Sequence, residues 1–359
     1  MQYVILYMKY ILTIFALALA ACSQPKPAEE PLTLLIGTYT DATSEGIYRT
    51  TFDTATGTFT DAELVIKVDN PSYLAIEGDM LYAVSEGGSD ENSALNAFRY
   101  DAGSDSYTLL SRQPTRGASP CYVALHKGYV YTANYTGGSL TRFAIMADGS
   151  LGEAVEQEYE PKQGSPSHIH GIFPAPDGES IFVTDLGRSE IFRIVAPDSE
   201  IFRTELTAGA GPRHMAFSKD GLTAYALNEL AGTVSVFDIE TEGLSLKQEI
   251  ASDSVGGGGC ADIHLSPDGR FLYASNRLKE DGISTFRISE DGTLQKIGYT
   301  PTGIHPRNFT LTPDGEFVLV AVRDSDRVEV YRRDSQTGLL SPTDESLQLS
   351  HPVCLKWIK

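Results

Sequence analysis

Turn signals containing glycine recur along the chain at a nearly constant spacing. The glycines are Gly57, Gly103, Gly149, Gly243, Gly292 and Gly338, at steps of 46, 46, 94, 49 and 46 residues. The step of 94 spans two periods, and Pro197-Asp198 occupies the position of the missing turn. The sequence therefore contains seven units of about 47 residues, a period typical of repeat architectures.

Each unit contains a short run rich in β-branched and aromatic residues and bounded by Gly, Asp or Pro, which is the pattern of a β-strand. The runs occupy residues 34–39, 81–86, 130–135, 181–186, 224–229, 272–277 and 318–323. A further strand precedes each run except the first, and the last such strand, Pro352 to Ile358, has no run after it. We therefore predict an all-β, seven-bladed β-propeller whose ring closes by pairing of the N- and C-terminal strands.

The charge of the chain limits the partners that it can have. It carries 28 basic and 48 acidic residues, a formal net charge of -20, which argues against binding to nucleic acid phosphates. Hydrophobic residues make up 41% of the chain, enough to build a large core.

The first 31 residues are typical of a targeting segment. Lys9 precedes an apolar run from Tyr10 to Ala21, which is too short to span a bilayer and suits a signal-peptide core. The run ends in Leu19-Ala20-Ala21-Cys22, which resembles a bacterial lipobox. We expect a signal peptide over 1–21, a tether over 22–31 lipidated at Cys22, and the propeller over 32–359. The protein would then be exported and anchored in the membrane by its lipid, facing the periplasm or the cell surface. An ordinary secretory cleavage after Ala21 is the alternative.

Three further cysteines, Cys121, Cys260 and Cys354, form no CxxC pair and have no histidine at metal-finger spacing. This pattern argues against a zinc site and favours buried free thiols. One disulfide between two of them is the alternative in an oxidising compartment.

Alignment of the repeats brings polar residues into common columns. Column one, from the first strands, holds Tyr73, Tyr122, His170, His214, Asp262, Asn308 and Cys354, with Arg213 and Arg307 one position earlier. Column two, from the ends of the second strands, holds Tyr39, Glu86, Tyr135, Leu186, Glu229, Arg277 and Arg323, preceded by Ser85, Asn134, Asp185, Asn228 and Asn276. Equivalent positions of a propeller face one axis, and unpaired buried ions cost several kcal/mol each, so the columns predict a pocket for an anionic ligand. The residues expected to contact that ligand are Tyr39, Glu86, Asn134, Asp185, His214, Asn276 and Arg307. The alternative is that they join neighbouring blades by hydrogen bonds.

His168 and His170 have the i, i+2 spacing that places two side chains on one face of a strand, so a metal pair is conceivable. The neighbouring arginines oppose a cation, and we therefore expect neither a metal nor another cofactor. His126, His305 and His351 are interpreted as core or turn residues.

Nine short motifs follow one another from Leu34 to the C-terminus. They are Gly37-Thr38-Tyr39-Thr40, Asn70-Pro71-Ser72-Tyr73, Ala133-Asn134-Tyr135, His168-x-His170, Asp185-Leu186-Gly187, Gly211-Pro212-Arg213-His214, Asn228-Glu229-Leu230, Ser275-Asn276-Arg277 and Pro306-Arg307-x-Phe309. In this combination the sequence resembles the lactonase family of seven-bladed propellers, which includes the propeller type of 6-phosphogluconolactonase and the fungal carboxymuconate lactonizing enzyme.

The resemblance implies that the catalytic groups are His168 or His170, Arg213, Glu229 and Arg277. Ser167 departs from the family pattern and leaves the choice of histidine open. Tyr122 stands where many relatives have a histidine.

The resemblance also implies hydrolysis of a sugar-derived lactone by a metal-independent general-base mechanism. Glu229 or a pocket histidine would take the proton of water, while Arg213 and Arg277 hold the carbonyl oxygen and an anionic substituent. A non-catalytic propeller that binds an anionic ligand and a lactonizing cycloisomerase are the alternatives. The phosphorylated lactone of the pentose pathway is cytosolic, so the expected export makes an aldonolactone an equal candidate substrate.

Overall fold

The described chain is a ring of antiparallel β-sheets. The computed structural model describes residues 30–159, 164–196 and 201–358, and the expected signal peptide, Cys22 and most of the tether lie outside them. Within these ranges the strands form six four-stranded sheets and one five-stranded sheet. The predicted seven-bladed propeller is confirmed. Among the residues described, no helix has the length and apolar character needed to cross a membrane.

The strands of the first three blades follow one another along the chain. Blade 1 begins with β1 (Leu32–Thr38), β2 (Gly46–Asp53), β3 (Thr58–Phe59) and β4 (Glu63–Lys67). Blade 2 contains β5 (Leu74–Glu77), β6 (Met80–Ser85), β7 (Ala94–Asp101) and β8 (Ser106–Pro114), with a 3-10 turn at Asp90–Asn92. Blade 3 contains β9 (Pro120–His126), β10 (Tyr129–Asn134), β11 (Ser139–Ile145) and β12 (Leu151–Glu158).

The other four blades repeat this order. Blade 4 contains β13 (Ile169–Pro174), β14 (Ile181–Asp185), β15 (Glu190–Ile194) and β16 (Ile201–Glu205). Blade 5 contains β17 (Pro212–Phe217), β18 (Thr223–Asn228), β19 (Thr233–Glu240) and β20 (Gly243–Ala251). Blade 6 contains β21 (Ile263–Leu265), β22 (Phe271–Asn276), β23 (Gly282–Ile288) and β24 (Leu294–Pro301). Blade 7 contains β25 (Pro306–Leu311), β26 (Phe317–Val322), β27 (Arg327–Arg333) and β28 (Leu340–Gln348), with a 3-10 turn at Arg323–Ser325, and β29 (Pro352–Trp357) follows.

The two ends of the chain close the ring as predicted. β29 pairs with β1 and becomes the innermost strand of blade 1, with Leu34 opposite Trp357 and Ile36 opposite Leu355. Leu34 and Ile36 are completely buried. The closure pairs the edge of β1 that would otherwise be open, and open strand edges promote aggregation.

The second strand of each blade is the run predicted from the sequence. β6, β18, β22 and β26 are buried at every position, because each has a strand on either side and a neighbouring blade on each face. A strand buried on both faces needs a nearly continuous apolar sequence, which explains why these runs do not alternate with polar residues.

The glycine turns join neighbouring blades. Gly338 has a φ of +79°, and a Cβ atom there would lie 2.3 Å from the ring of Phe271 in the preceding blade. Its carbonyl accepts a hydrogen bond of 2.7 Å from the hydroxyl of Tyr273. The carbonyl of Gly149 accepts one of 3.1 Å from Tyr82 in the same way. The turn predicted at Pro197-Asp198 lies outside the described residues.

Candidate active site

Antiparallel pairing brings the polar columns to one rim of the propeller. Pro212 at the start of β17 pairs with Asn228 at the end of β18, and Pro306 pairs with Val322 in the same way. Residues that begin an innermost strand therefore lie beside residues that end the second strand. This register places side chains from distant parts of the chain around one mouth of the central channel.

Glu229 lies between two arginines at this mouth. Its Oε2 is 2.9 Å from Nε of Arg213, and its Oε1 is 3.1 Å from Nη2 of Arg277. Both arginines are at least 95% buried, and the Glu229 side chain is 22% exposed. The predicted trio is therefore brought together, with its carboxylate on the open side.

The three groups affect one another electrostatically. Burial opposes ionisation of Glu229, but the charges of Arg277 and Arg213 outweigh it and lower the pKa of the carboxyl. Glu229 therefore stays ionised at neutral pH and is a weaker proton acceptor than an ordinary glutamate.

The nitrogens of the two arginines are used differently. Arg277 is held by the carbonyls of Gly259 (2.9 Å) and Cys260 (3.3 Å) and by Nε2 of His305 (3.1 Å). Arg213 donates from Nη1 to the carbonyl of Ala261 and to Nε2 of His214, 3.3 Å away. Its Nη2 has no hydrogen-bond partner among residues 30–159, 164–196 and 201–358, and this nitrogen can bind a ligand atom.

Rings from the innermost strands fill the channel next to the cluster. The ring centroids of His170 and His214 are 5.5 Å apart, and Tyr122 lies 5.2 Å from His214 and stacks on Tyr73 at 4.0 Å. Burial, followed by the charge of Arg213, lowers the pKa of both histidines, and that of His214 to about 3. Both rings are therefore neutral at physiological pH.

His168 is the more open of the two histidines in its motif. Its ring stacks on Tyr135 at 4.6 Å, and His170 contacts the same tyrosine edge-on at 5.5 Å. Nδ1 of His168 is 2.9 Å from the backbone carbonyl of Tyr135. A carbonyl only accepts, so Nδ1 carries the proton and Nε2 has the free lone pair.

A second charged group lies across the mouth. The hydroxyl of Tyr39 donates to Oε2 of Glu86 at 3.0 Å, and the guanidinium of Arg307 lies 5.4 Å from the centroid of the Tyr39 ring. Burial disfavours the charge of Arg307, but Tyr39 and Glu86 outweigh this and raise its pKa. Within the described part of the chain, the guanidinium of Arg307 makes no hydrogen bond or ion pair, so its charge is available to a ligand.

Three residues predicted to contact the ligand have no exposed surface: Asn134, Asp185 and Asn276. Asn134 donates to Ser139 and Thr141 in the next strand, and Asn276 donates to Ser284. Asp185 accepts from the hydroxyl of Ser167 at 2.6 Å and from the backbone N–H of His168 at 2.9 Å. These hydrogen bonds lie inside single blades, and the three side chains have no exposed surface through which a ligand at the mouth could touch them.

The remaining predicted groups are also located. Cys121, Cys260 and Cys354 are buried free thiols without a disulfide. Arg323, the last member of column two, pairs with the neighbouring Asp324. In the described ranges no three His, Cys, Asp or Glu side chains are grouped as metal ligands.

Two residues near the cluster were not predicted as part of the site. Asp262 accepts a hydrogen bond of 2.8 Å from Nδ1 of His214, and its position in the column of His170 and His214 was the available signal. His305, which we interpreted as an ordinary core or turn residue, lies against Arg277. It had no such signal, because it occupies the loop before β25, outside both columns.

The fold and the mouth together define a seven-bladed propeller with an acid–base and guanidinium cluster built from its strand ends. The family model of the seven-bladed β-propeller lactonases matches residues 33–357. The chain belongs to this family.

Its relatives cover nearly the whole propeller. A Formosa agariphila 6-phosphogluconolactonase is 32% identical over 343 residues, covering 88% of this chain and 96% of the relative. The Bacillus subtilis 6-phosphogluconolactonase is 28% identical, covering 90% and 97%. Among solved structures, the Pseudomonas aeruginosa periplasmic gluconolactonase is 31% identical with a TM-score of 0.85, covering 92% of this chain and 99% of that chain.

Proposed function

We propose that this protein is a carboxylic ester hydrolase that opens a sugar-derived lactone to the hydroxy acid by a metal-independent general-base mechanism. The observation that carries the proposal is the ion cluster of Glu229 with Arg213 and Arg277 beside neutral histidines at the channel mouth. The names of the relatives, 6-phosphogluconolactonase and gluconolactonase, support the same reaction.

The chemistry has three requirements. The oxygen of water adds to the lactone carbonyl carbon, the bond from that carbon to the ring oxygen breaks, and one water proton ends on the departing ring oxygen. The enzyme must accept the water proton, stabilise the oxyanion of the tetrahedral intermediate, and return the proton to the leaving alkoxide.

We assign the role of base to His168. Its Nε2 has a lone pair because the Tyr135 carbonyl holds the proton on Nδ1. His170 is a poorer acceptor since burial and then Arg213 lower its pKa well below the usual range. Glu229 is also a poorer acceptor, because the charges of Arg277 and Arg213 lower the pKa of its carboxyl; its role is to hold the two guanidinium groups in place.

Two arginines bind different negative charges of the reacting lactone. Nη2 of Arg213 is the donor for the oxyanion, since Nε faces the Glu229 carboxylate and Nη1 donates to the Ala261 carbonyl and to His214. Arg307 is suited to an anionic substituent such as a phosphate or carboxylate. Of the three guanidinium groups of the cluster, those of Arg213 and Arg277 are paired with Glu229, and that of Arg307 lies against the Tyr39 ring, where it can meet a negative charge of the ligand.

The first test is hydrolysis of 6-phosphogluconolactone and of glucono-δ-lactone, compared with spontaneous opening. Acceleration of either lactone, unaffected by a chelator, is the expected result. If neither is accelerated, lactone hydrolysis is wrong, and a ligand recovered intact after tight binding would indicate the non-catalytic propeller. In heavy-oxygen water only hydrolysis puts label into the product, so an unlabelled product would indicate an isomerase.

The second test separates the candidate bases. His168→Gln is expected to lower kcat about 10²-fold or more, the size of a lost general base. His126→Gln is the matched control, because His126 lies on the surface against the carbonyl of Glu179. Unchanged kcat in His168→Gln would rule out His168 as the base.

We further propose that the protein is exported and anchored through a lipid on Cys22. The apolar run to Ala21 and the lipobox-like Leu19-Ala20-Ala21-Cys22 support this, and the Pseudomonas relative is named as periplasmic. Bacteria expressing the full chain should incorporate labelled palmitate into it. Cys22→Ala should lose the label and Ser23→Ala should keep it. An unlabelled wild-type chain would contradict the anchor.

A further inference from the structure

Asp262 is a buried carboxylate that the proposed reaction does not use directly. It is 1% exposed and precedes β21, one repeat after His214. It accepts five hydrogen bonds. Oδ1 accepts from Nδ1 of His214 (2.8 Å) and the backbone N–H of Ile263 (3.0 Å), and Oδ2 accepts from Nε2 of His264 (2.9 Å), Nδ2 of Asn308 (2.5 Å) and the backbone N–H of Phe309 (3.3 Å).

These contacts fix the tautomer of His214. An ionised Asp262 accepts only, so Nδ1 of His214 carries the ring proton and Nε2 has the lone pair. That lone pair faces Nη1 of Arg213 at 3.3 Å, where it accepts a hydrogen bond. With Nη1 also bound to the Ala261 carbonyl, the guanidinium has one orientation, in which Nε faces Glu229 and Nη2 remains for a ligand.

We propose that Asp262 is a positioning residue: through His214 it orients the Arg213 guanidinium that binds the oxyanion. The expected effect on the rate rests on the proposed function. The orientation of Arg213 by Asp262 through His214 does not depend on it. Asp262 belongs to blade 6 and Arg213 to blade 5, and two successive hydrogen bonds through His214 connect them.

A proton relay is the competing interpretation of the same contacts. Asp262 also binds His264, whose side chain is 37% exposed, so a proton could travel from His214 to solvent. Such a relay needs His214 to become protonated, and burial together with Arg213 lowers the pKa of that ring to about 3. The hydrogen bonds from His214 to Asp262 and from Arg213 to His214 are those that positioning requires, and they need no proton transfer.

Asp262→Asn tests the tautomer directly. Every group bonded to the carboxylate is a donor, so the NH₂ group of the new asparagine must face some of these donors. Oδ1 has two of them and Oδ2 has three, so we expect the NH₂ group to take the place of Oδ1. There His214 can accept from it by moving its own proton from Nδ1 to Nε2. Nε2–H would then face Nη1–H of Arg213, and two donors repel. A wrong histidine tautomer of this kind costs up to about 10⁴-fold in kcat in a serine protease.

The experiment combines nitrogen NMR of histidine-labelled full-length protein with lactone kinetics. In the wild type His214 should show the Nδ1–H form, and in Asp262→Asn the Nε2–H form, whether or not the chain proves to be a lactonase. A wild-type Nε2–H form would overturn the proposal even if the variant fails to fold.

The kinetic part separates positioning from relay. Asp262→Asn should lower kcat at least about 10²-fold with little change in KM, and in a His214→Phe background it should have almost no additional effect. His264→Gln, which keeps a donor to Asp262 but cannot carry a proton, should retain wild-type kcat. A loss in His264→Gln as large as that in Asp262→Asn, or full additivity of the Asp262 and His214 changes, would overturn the proposal.

Discussion

Oε1 of Glu229 lies 3.1 Å from Nη2 of Arg277, although Arg277 occupies the equivalent position one repeat further along the chain and in the next blade. Ring geometry turns two equivalent positions of a repeat into direct neighbours. A carboxylate in one blade therefore fixes a guanidinium in the next, and the site depends on the closed ring.

Glu229→Gln is expected to lower kcat about 10²-fold or more. The amide keeps the shape of the side chain but removes the charge that holds Arg213 and Arg277, which are then buried cations without a counterion. Steady-state kinetics measures the effect, with Glu153→Gln on the exposed face of β12 as control. Wild-type kcat in Glu229→Gln would show that the ion cluster has no part in the reaction.

Arg307→Gln is expected to raise KM for 6-phosphogluconolactone about 10-fold or more, the size of a hydrogen bond to a charged group, and to change KM for uncharged glucono-δ-lactone much less. The reason is that Arg307 contacts the Tyr39 ring and keeps its donors for a ligand. Arg323→Gln is the control, since Arg323 pairs with Asp324 in the same blade. Equal losses for both lactones would contradict a role in binding the anionic group.

Asn276→Ala is expected to lower the free energy of unfolding by about 1–3 kcal/mol while KM stays nearly unchanged. The substitution leaves the hydroxyls of Ser252 and Ser284 without their buried partner. Urea unfolding and kinetics measure the two effects, with Gln336→Ala in an exposed turn as control. A large rise in KM at unchanged stability would instead support direct contact of Asn276 with substrate.

Stability is expected to fall as the pH decreases from about 6.5. Burial and Arg213 lower the pKa of His214 to about 3, whereas a histidine in an unfolded chain titrates near 6.5. Between these values the unfolded chain binds a proton that the folded chain does not, so acid favours unfolding. His170, whose pKa is also lowered by burial, acts in the same direction.

Urea unfolding at about pH 7, 6 and 5 measures this dependence. Each such histidine should make the free energy of unfolding fall by up to about 1.4 kcal/mol per pH unit of acidification. In His214→Gln the contribution of His214 to this slope should be absent. A slope that is the same in wild type and His214→Gln would contradict a neutral buried His214.

The columns predicted the cluster well but not the direction of every side chain. Glu229 and Arg277 follow the ends of their strands, and the structure brings both to the mouth. Asn134 and Asn276 lie one position earlier in the aligned repeats, each as the last residue of its strand, and bind hydroxyls of the adjacent strand. Successive side chains of a strand point to opposite faces. An alignment of repeats fixes the position of a residue along its strand, but not the face to which its side chain points.

The sequence by itself determined the number of blades, the closing strand and the rim at which the polar residues gather. These features follow from a period of turns and from apolar runs, which are local signals along the chain. Only the tertiary structure decided which nitrogen of Arg213 is left for a ligand, which ring atom of His168 has its lone pair, and that Asp262 holds His214. Each of these depends on a hydrogen bond to a distant part of the chain: from Arg213 to Ala261, 48 residues away, from His168 to Tyr135, 33 residues away, and from His214 to Asp262, 48 residues away. The geometry of such bonds exists only after the blades have packed.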